Sequence, residues 1–396
     1  MTVTRPQPVS GVDFAALLGE VRELGQSVVA PAANDVDAAA RFPREAFDAL
    51  RERQLLSAYI PRDLGGMGLS IVEIARICET LAHYCASTAM IFAMHQIQVA
   101  CIVHHGRSSS YFEKYLRALV DEQWLIASAT TELGVGGDLR SSICAVEVEG
   151  ERFRLTKKAP VISYGEHADY ILITSRRAPD AAASDQVAVL VNRREAQLEP
   201  ISTWDTLGFR GTCSSGFVVT SEGAAEQILN TPFDDVLSQT MHPVSHIVWS
   251  SLWLGIASEA VGRARAFARA EARKNPYPSP SILRLAEVDV QLGNMRNTVH
   301  STAAEYARML AADLDIDAYR AFSFGTRVNN LKVSASQLVV DIVQRAMIIC
   351  GISGYRNDSK FTLARHLRDA YGAALMVNND RILAHNATML LALKET

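Results

Sequence analysis

The first 120 residues carry apolar side chains at the spacing of amphipathic helices. FAALLGEVRELGQSVVAPAA (14–33) and FPREAFDALRERQLL (42–56) repeat their apolar positions every three or four residues, as helices with one buried face do. The following segment, residues 70–106, is apolar over most of its length. It predicts two helices buried inside a bundle.

Short alternating segments replace the helical pattern near residue 121. ICAVEVEGERFRLTKKAPVIS (143–163) alternates apolar and polar side chains around a turn at Glu149-Gly150. Three β-branched runs follow it: DYILITSRR, VAVLVNRR and GFVVTSE. This spacing of short strands predicts an antiparallel domain, of the sandwich or barrel kind, that ends near residue 235.

Long helical patterns return after Pro243. Four segments carry apolar stripes over about 25 residues or more, and they begin HIVWSSLW, ILRLAEVD, RVNNLKVS and TLARHLRD. They predict an up-and-down four-helix bundle. The sequence therefore predicts an α+β protein of three domains: an N-terminal helical domain at 1–124, a central antiparallel β domain at 125–238, and a C-terminal helical bundle at 239–396.

Composition narrows the function classes. The chain has 396 residues, of which 48% are hydrophobic, and this is enough for a large core. A net charge of −4 gives no electrostatic reason to expect nucleic acid or an anionic membrane as partner. No run of 18 apolar residues and no signal peptide is apparent. Six scattered cysteines without a CxxC pair indicate reduced thiols, and we expect a cytoplasmic protein.

A glycine-rich segment, SATTELGVGGDLRSS (128–142), lies where helices give way to strands. Gly134, Gly136 and Gly137 follow Thr130-Thr131-Glu132. Glycines let the backbone approach a phosphate or a flat cofactor closely, and the hydroxyls supply directional hydrogen bonds. The alternative is a tight turn between two domains.

Four segments resemble motifs of the acyl-CoA dehydrogenase superfamily, in the same order. ATTELGVGGD is similar to T-E-x-G-x-G-S-D, and KKAPVISYGEHADYILI to G-x-K-x-W-I-T-N-G-x-x-A-D. WDTLGFRGTCSSGFVV resembles the LG-x-R-x-(S/T) turn, and AMIICGISGYRNDSKFTLARHLRDA the Q-x-x-G-G-x-G-(Y/F)…RDA stretch. With the helical, β, helical order, the resemblance covers nearly the whole chain.

The resemblance implies FAD bound between the β domain and the bundle of a homodimer or homotetramer. Thr131 would bond the edge of the flavin ring, and Ser163 would lie near flavin N5. The resemblance assigns four further residues to cofactor binding: Arg273, Gly351, Gly354 and Asn379.

The catalytic base of the family is absent at both of its positions. Dehydrogenation of an acyl thioester needs a carboxylate that removes the α-proton. Where the common subgroup has a glutamate after RDA, this chain has Val377, and Asp380 lies three residues further on. Where a second subgroup has its base, early in the first bundle helix, this chain has Ser245 followed by His246.

Other family positions also differ. Gly137 replaces a serine that contacts the thioester, Val161 replaces the tryptophan beside the flavin, and Ile352 replaces the second glycine of G-G-x-G. The R-x-x-F-G segment is reduced to RKNPYPSPS, with Arg273 as its remnant. These changes weaken the expected pyrophosphate clamp, so FMN or a loosely held reduced flavin is the alternative to FAD.

Three titratable residues are candidates for catalysis. His246 can act as a base near neutral pH, or else serve as a capping or core histidine. His95 lies on a helix that borders the substrate pocket in the family. Asp380 is either a displaced base or a surface acid paired with Arg381.

We assign substrate binding to four residues: Gly137, Ser245, Trp249 and Val377. Trp249 and Trp253, at spacing i,i+4, fit either a core or a substrate box. No metal site is predicted, because the adjacent His104 and His105 would face different directions on a helix.

The favoured function is a flavin-dependent oxidase or monooxygenase acting on a small organic or acyl-thioester substrate. A flavin reductase is a candidate partner for it. Two alternatives remain: an acyl-CoA or acyl-carrier-protein dehydrogenase with a displaced base, and a catalytically inactive scaffold.

Overall fold

Helices form the two ends of the chain and strands form its middle. The computed structural model describes residues 11–136, 138–274 and 280–392, with positions 280 and 392 described by their backbone alone. The observed order, helical, β, helical, confirms the predicted α+β class.

The N-terminal helices surround one buried helix. They are α1 (Phe14–Leu24), α2 (Ala30–Ala38), α3 (Arg44–Glu52), α4 (Ile71–Ala82), α5 (Ala86–His105) and α6 (Ser110–Glu122). A capping box starts α4, where the Ser70 amide donates to the Glu73 carboxylate at 2.7 Å. α5 is buried on nearly all sides, as its continuous apolar sequence predicts.

Two four-stranded sheets form the central region. Their strands are β1 (Ile126–Ala129), β2 (Val146–Glu149), β3 (Arg152–Ala159), β4 (Tyr170–Arg176), β5 (Gln186–Asn192), β6 (Ala196–Ser202), β7 (Gly216–Ala224) and β8 (Ile228–Leu229). The strand orders are β1-β4-β5-β8 and β2-β3-β7-β6. Among the paired strands named here, β1 and β4 depart from the predicted antiparallel pattern, because they pair in parallel. The chain visits the second sheet between these two strands, which supplies the long connection that a parallel pair needs.

The C-terminal helices pack around α8. They are α7 (Phe233–Val236), α8 (His242–Ala272), α9 (Pro280–Ala311), α10 (Ile316–Arg320), α11 (Phe322–Cys350), α12 (Ile352–Tyr355), α13 (Ala364–Tyr371) and α14 (Asn379–Ala392). α8 packs against α9, α11 and also α4. Its approach to α4 is close at Gly255, where a Cβ would lie 2.2 Å from the Glu79 carbonyl oxygen.

The last bundle segment is two helices, whereas its pattern predicts one. α13 ends at Tyr371, a turn spans residues 372–378, and α14 begins at Asn379. Val377 has a φ of 43° in this turn. A β-branched residue rarely adopts that left-handed conformation, so contacts from outside the turn must hold it.

α13 fastens the bundle to the rest of the molecule. The Asp369 carboxylate accepts the Phe209 amide at 2.7 Å, and the Arg368 guanidinium forms an ion pair with Asp37. Gly208 fits tightly here, because a Cβ would lie 2.2 Å from the Arg368 carbonyl oxygen.

Two helices, α5 and α11, are long and apolar enough to cross a membrane by length and composition alone. α5 lies inside the protein core, and about half of α11 is covered. The core helix of a folded protein passes the same test, so these two helices are weak indications of a membrane span.

Candidate functional site

Two adjacent loop segments lie where β1 and β3 end; we call them the shelf and define it as residues 131–136 and 161–163. Thr131 Oγ1 donates to the Val161 carbonyl oxygen at 3.0 Å, which holds the two segments side by side. Leu133 and Val161 expose their apolar side chains beside this bond. The shelf therefore combines hydroxyl groups with an open apolar surface, which suits a flat heteroaromatic ring.

Ser163 is a buried member of the shelf. Ser214 Oγ donates to Ser163 Oγ at 2.8 Å, and Thr212 Oγ1 lies 2.7 Å from Ser214 Oγ. A hydroxyl that accepts one hydrogen bond still has its own proton to give. Ser163 is thus oriented by its neighbours and retains a donor.

Glu132, in the same loop, points into the β region. Its carboxylate accepts from Ser142 Oγ at 2.7 Å and from the Cys144 amide at 2.6 Å. It also lies 3.5 Å from Lys157 Nζ, which donates to the Thr174 carbonyl oxygen at 2.6 Å. Burial lowers the pKa of Lys157. These contacts engage both carboxylate oxygens of Glu132, which therefore anchors the loop.

A polar seam runs along α8 where this helix faces α11 and α14. We define the seam by nine residues: His242, His246, Trp249 and Trp253 of α8, Asn329, Lys332 and Ser336 of α11, and Asn379 and Asn386 of α14. The members on α8 recur at intervals of three or four residues, so they share one helix face. The His242 and His246 rings lie 4.4 Å apart, and the His246 and Trp249 rings 6.0 Å apart.

His246 is held in one tautomer. Its Nδ1 lies 3.0 Å from the His242 carbonyl oxygen, which can only accept, and 3.2 Å from Ser245 Oγ, which donates to that same carbonyl oxygen. Nδ1 therefore carries the proton. Burial, together with His242 and Lys332 nearby, lowers the pKa of His246 well below its ordinary value, so the ring is neutral. Its Nε2 is then a buried lone pair, and it has no partner among the described residues.

Lys332 is fully buried and holds the turn between α13 and α14. Its Nζ donates to the Val377 carbonyl oxygen at 2.9 Å and to Asn379 Oδ1 at 2.7 Å. Asn379 Nδ2 in turn donates to Ser336 Oγ at 3.0 Å. These bonds account for the left-handed backbone of Val377, because they fix its carbonyl group against α11.

Asparagines complete the seam. His242 Nε2 donates to Asn329 Oδ1 at 2.8 Å, Asn329 Nδ2 to Asn386 Oδ1 at 2.7 Å, and Asn386 Nδ2 to Asn330 Oδ1 at 3.0 Å. Within the part of the chain that the structure describes, no hydrogen bond recorded for the seam involves a carboxylate.

The glycine-rich loop lies beside the seam. Burial lowers the pKa of both His242 and His385, and the charge of Arg140 is close enough to lower both further. A Cβ at Gly136 would lie 3.8 Å from Arg381 Nη2 of α14. The shelf and the seam therefore belong to neighbouring surfaces of one region.

Several predicted site residues meet in this region. Thr131 and Ser163 lie on the shelf, and His246, Trp249 and Asn379 lie in the seam. Two more adjoin the seam: Ser245, whose Oγ donates to the His242 carbonyl oxygen at 2.9 Å, and Val377, whose carbonyl group accepts from Lys332.

His95 is placed apart from them. Its Nε2 donates to the Leu56 carbonyl oxygen at 2.7 Å, and its Nδ1 accepts from the Ile126 amide at 3.0 Å. Burial lowers its pKa to about 4. Both ring nitrogens thus have backbone partners, and the ring joins α5 to β1.

The remaining predicted residues lie at helix ends or on the surface. The Asp380 side chain is exposed near the start of α14. Arg273 is exposed at the far end of α8, about 40 Å along the helix from His246. Gly351, with a φ of 54°, and Gly354 lie beyond the far end of α11 from the seam. Gly137 is outside the described residues.

Sequence reasoning missed Lys332, Asn329 and Asn386. A signal for Lys332 exists, because a lone lysine stands in the apolar run LKVSASQLVV. Lysine is almost never fully buried unless paired, so a lysine on the apolar face of a bundle helix indicates a specific partner. The asparagines carry no comparable signal.

Comparisons with known proteins agree on the family. A model described as "Acyl-CoA dehydrogenase, N-terminal domain" matches residues 13–123, and one described as "Acyl-CoA dehydrogenase, C-terminal domain" matches residues 240–376. A cyclohex-1-ene-1-carbonyl-CoA dehydrogenase of Geobacter metallireducens is 28% identical over 362 residues, which cover 89% of this chain and 91% of that protein.

Solved structures share the fold. FMN-bound TdsC of Paenibacillus sp. A11-2, a dibenzothiophene monooxygenase, superposes with a TM-score of 0.85 at 19% identity, over 96% of this chain and 98% of TdsC. Butyryl-CoA dehydrogenase of Megasphaera elsdenii superposes with a TM-score of 0.82 at 20% identity, over 99% of this chain and all of that one. The chain belongs to the acyl-CoA dehydrogenase superfamily, a family of flavin-dependent oxidoreductases.

Proposed function

We propose that this protein is a flavin-dependent oxidase or monooxygenase that acts on a small organic or acyl-thioester substrate. One observation carries the proposal: the buried base of the seam is the neutral imidazole of His246, at the end of a hydrogen-bond network without a carboxylate in the described residues. Dehydrogenation of a thioester leaves the proton from carbon on the base, so a histidine base becomes a charged imidazolium. Burial disfavours that charged form at His246 and lowers the pKa of the ring.

The shelf fits a flavin ring. Thr131 and Ser163 would supply hydroxyl groups at its edge, and Val161 and Leu133 would supply apolar contact. A bound flavin supplies two-electron chemistry and reactivity toward oxygen. We infer FAD as the cofactor, with FMN as the alternative. Two observations favour FMN as the alternative cofactor: TdsC has an FMN-bound state, and Arg273 is exposed at the far end of α8.

The chain's own residues would bind the substrate and manage one proton. His246 Nε2 can accept a hydrogen bond or a proton from the substrate, and the bond from Nδ1 to the His242 carbonyl group keeps the ring oriented. Lys332 keeps the turn at residues 377–379 in place, which covers one side of the seam.

The second candidate is an acyl-CoA or acyl-carrier-protein dehydrogenase with a displaced base. The similarity to a cyclohex-1-ene-1-carbonyl-CoA dehydrogenase favours it. In this case the base is Asp380, which follows the strained turn, or His246 itself. An inactive scaffold is the third candidate, and it predicts purified protein without flavin absorbance even after FAD or FMN is added.

Reoxidation of the reduced protein tests the proposal. The flavin-loaded protein is photoreduced without oxygen and then mixed with dissolved oxygen or with the ferricenium ion, a one-electron acceptor. An oxidase or monooxygenase reoxidises rapidly with oxygen. A dehydrogenase reacts sluggishly with oxygen and rapidly with ferricenium, and an acyl-CoA bleaches its flavin without added reductant. That second pattern would contradict the proposal.

A further inference from the structure

Four buried polar atoms on one face of α8 have no hydrogen-bond partner within the described ranges. They are His246 Nε2, Trp249 Nε1, Ser250 Oγ and Trp253 Nε1. A buried polar group without a partner is unfavourable, and native proteins contain few such groups. Four such atoms within two helical turns indicate a place where a ligand supplies the missing bonds.

The unpaired atoms differ in kind. Each indole Nε1 carries a proton and can only donate. His246 Nε2 can only accept, because its proton is on Nδ1. Ser250 Oγ can do either. The missing ligand group must therefore donate at least once and accept more than once. A hydroxyl group, with one proton and two lone pairs, has this inventory.

Lys332 adds a positive charge beside these atoms. Its Nζ lies 5.9 Å from the centre of the Trp253 ring, and its two hydrogen bonds go to neutral oxygens. No ion pair of Lys332 is recorded among the residues that the structure describes. An ammonium group buried without a counter-ion is unfavourable, and it favours a ligand oxygen that can carry negative charge.

We propose that the seam binds the acidic hydroxyl group of a planar, conjugated substrate, a phenol or an enol. Its O–H donates to His246 Nε2, while its oxygen accepts from the indole N–H groups and is stabilised by Lys332. The two indole rings and the imidazole provide the flat apolar walls that a conjugated ring prefers. The inference rests on the proposed function, because it takes the seam to be the substrate side of the redox site.

Equilibrium binding without oxygen tests this substrate class. The flavin-loaded protein is titrated calorimetrically with phenol, anisole and benzoate. Anisole keeps the ring and an acceptor oxygen but has no proton to donate, and benzoate replaces the hydroxyl group by a carboxylate. We expect phenol to bind about tenfold or more tightly than anisole, the effect of one hydrogen bond to a charged or buried partner.

Two variants locate the preference, and a matched variant controls for lysine removal. Lys332→Met and His246→Phe should each reduce the phenol affinity toward that of anisole, with anisole affinity unchanged. Lys360→Met removes the other lysine recorded over an aromatic ring, at 5.1 Å from Phe361 on the surface, and should change neither affinity. His246→Phe retains a ring of similar shape, so it remains informative if Lys332→Met fails to fold.

Three binding results would overturn the inference: equal affinity for phenol and anisole, tighter binding of benzoate than of phenol, or no binding at all. A phenol preference that survives both substitutions would also overturn it. Because no turnover occurs, this result is independent of the reoxidation experiment. A fast reaction with oxygen without phenol preference contradicts only the substrate class, and the reverse pattern contradicts only the oxygen chemistry.

Discussion

The proton of His246 lies on Nδ1, because the His242 carbonyl oxygen beside it can only accept and the neighbouring Ser245 hydroxyl donates to that same oxygen. Nε2 is therefore the nitrogen with the free lone pair. This arrangement fits His246 both as a catalytic base and as a hydrogen-bond acceptor, and substitutions at position 246 distinguish the two roles.

We expect His246→Ala to leave flavin absorbance nearly unchanged and to reduce turnover by roughly 10²-fold or more if the ring handles a proton in the rate-limiting step. His246→Gln should recover part of the activity if the ring only makes hydrogen bonds. Steady-state kinetics of both variants, at equal flavin content, make the comparison. Wild-type turnover in both would assign His246 to the core.

A second prediction for a single residue concerns His95 and the stability of the protein at acidic pH. Its folded pKa is about 4, below the ordinary value of 6.5. Between these values only the unfolded chain binds the proton, so the protein loses stability as pH falls from 6.5 toward 4. His95→Gln lowers stability at neutral pH through lost hydrogen bonds. The difference from wild type should shrink by about 2 kcal/mol at pH 5. Urea unfolding at both pH values measures it, and a constant difference would refute it.

The prediction of Ser163 comes from a motif with fixed spacing, and that of His246 from its place early in the first bundle helix; the roles of both stay predictions. The sequence predicts the environment of these residues poorly. The lowered pKa of His246 comes first from burial by the packed helices, and then from His242 and from Lys332, which is 86 positions away in the sequence. The contacts of Lys332 with Val377 and Asn379 likewise depend on a turn, and the hydrophobic periodicity of the sequence does not reveal that turn.

Among the elements, α13 fits closely against the β region. Gly208 lies against the backbone of Arg368, and Asp369 accepts from the next amide. The RDA motif is therefore a joint between the bundle and the β region.

We expect Gly208→Ala to destabilise the protein by about 1–3 kcal/mol, since the new Cβ would meet backbone atoms that cannot turn away. Gly293→Ala is the matched control. It lies in α9 with nothing within 4 Å of its Cβ, and it should be neutral or stabilise the helix by up to about 1 kcal/mol. Thermal unfolding compares the two. Equal melting temperatures of the two variants would contradict a tight contact between Gly208 and the backbone of α13.

The split between α13 and α14 marks the limit of periodicity as a guide to elements. Apolar residues continue through LMVNNDRILA at helical spacing, so the pattern predicts an unbroken helix. The turn does not continue into α14 as one helix because Lys332 binds the Val377 carbonyl group, and a carbonyl that points to α11 is unavailable to the next helical turn.

For the whole molecule, exposed apolar side chains near the end of α11 predict self-association. Ile348, Ile352 and Tyr355 are each more than half exposed, and surplus apolar surface of this kind favours a partner. We expect a homodimer or homotetramer. Replacing Ile348 and Ile352 together by Glu should shift it toward monomer in light scattering. Val148→Glu, at an exposed apolar position of β2, should not. A monomeric wild type at micromolar concentration would contradict the prediction.

The contact between α8 and α4 at Gly255 has a consequence for the order in which the protein is made. Residues of α4 and α5 leave the ribosome more than 130 positions before those of α8 that cover them. The apolar surface of these first helices stays open throughout the synthesis of both sheets. Such nascent chains are prone to aggregate, and the time needed to translate the middle of the chain sets how long this surface needs protection.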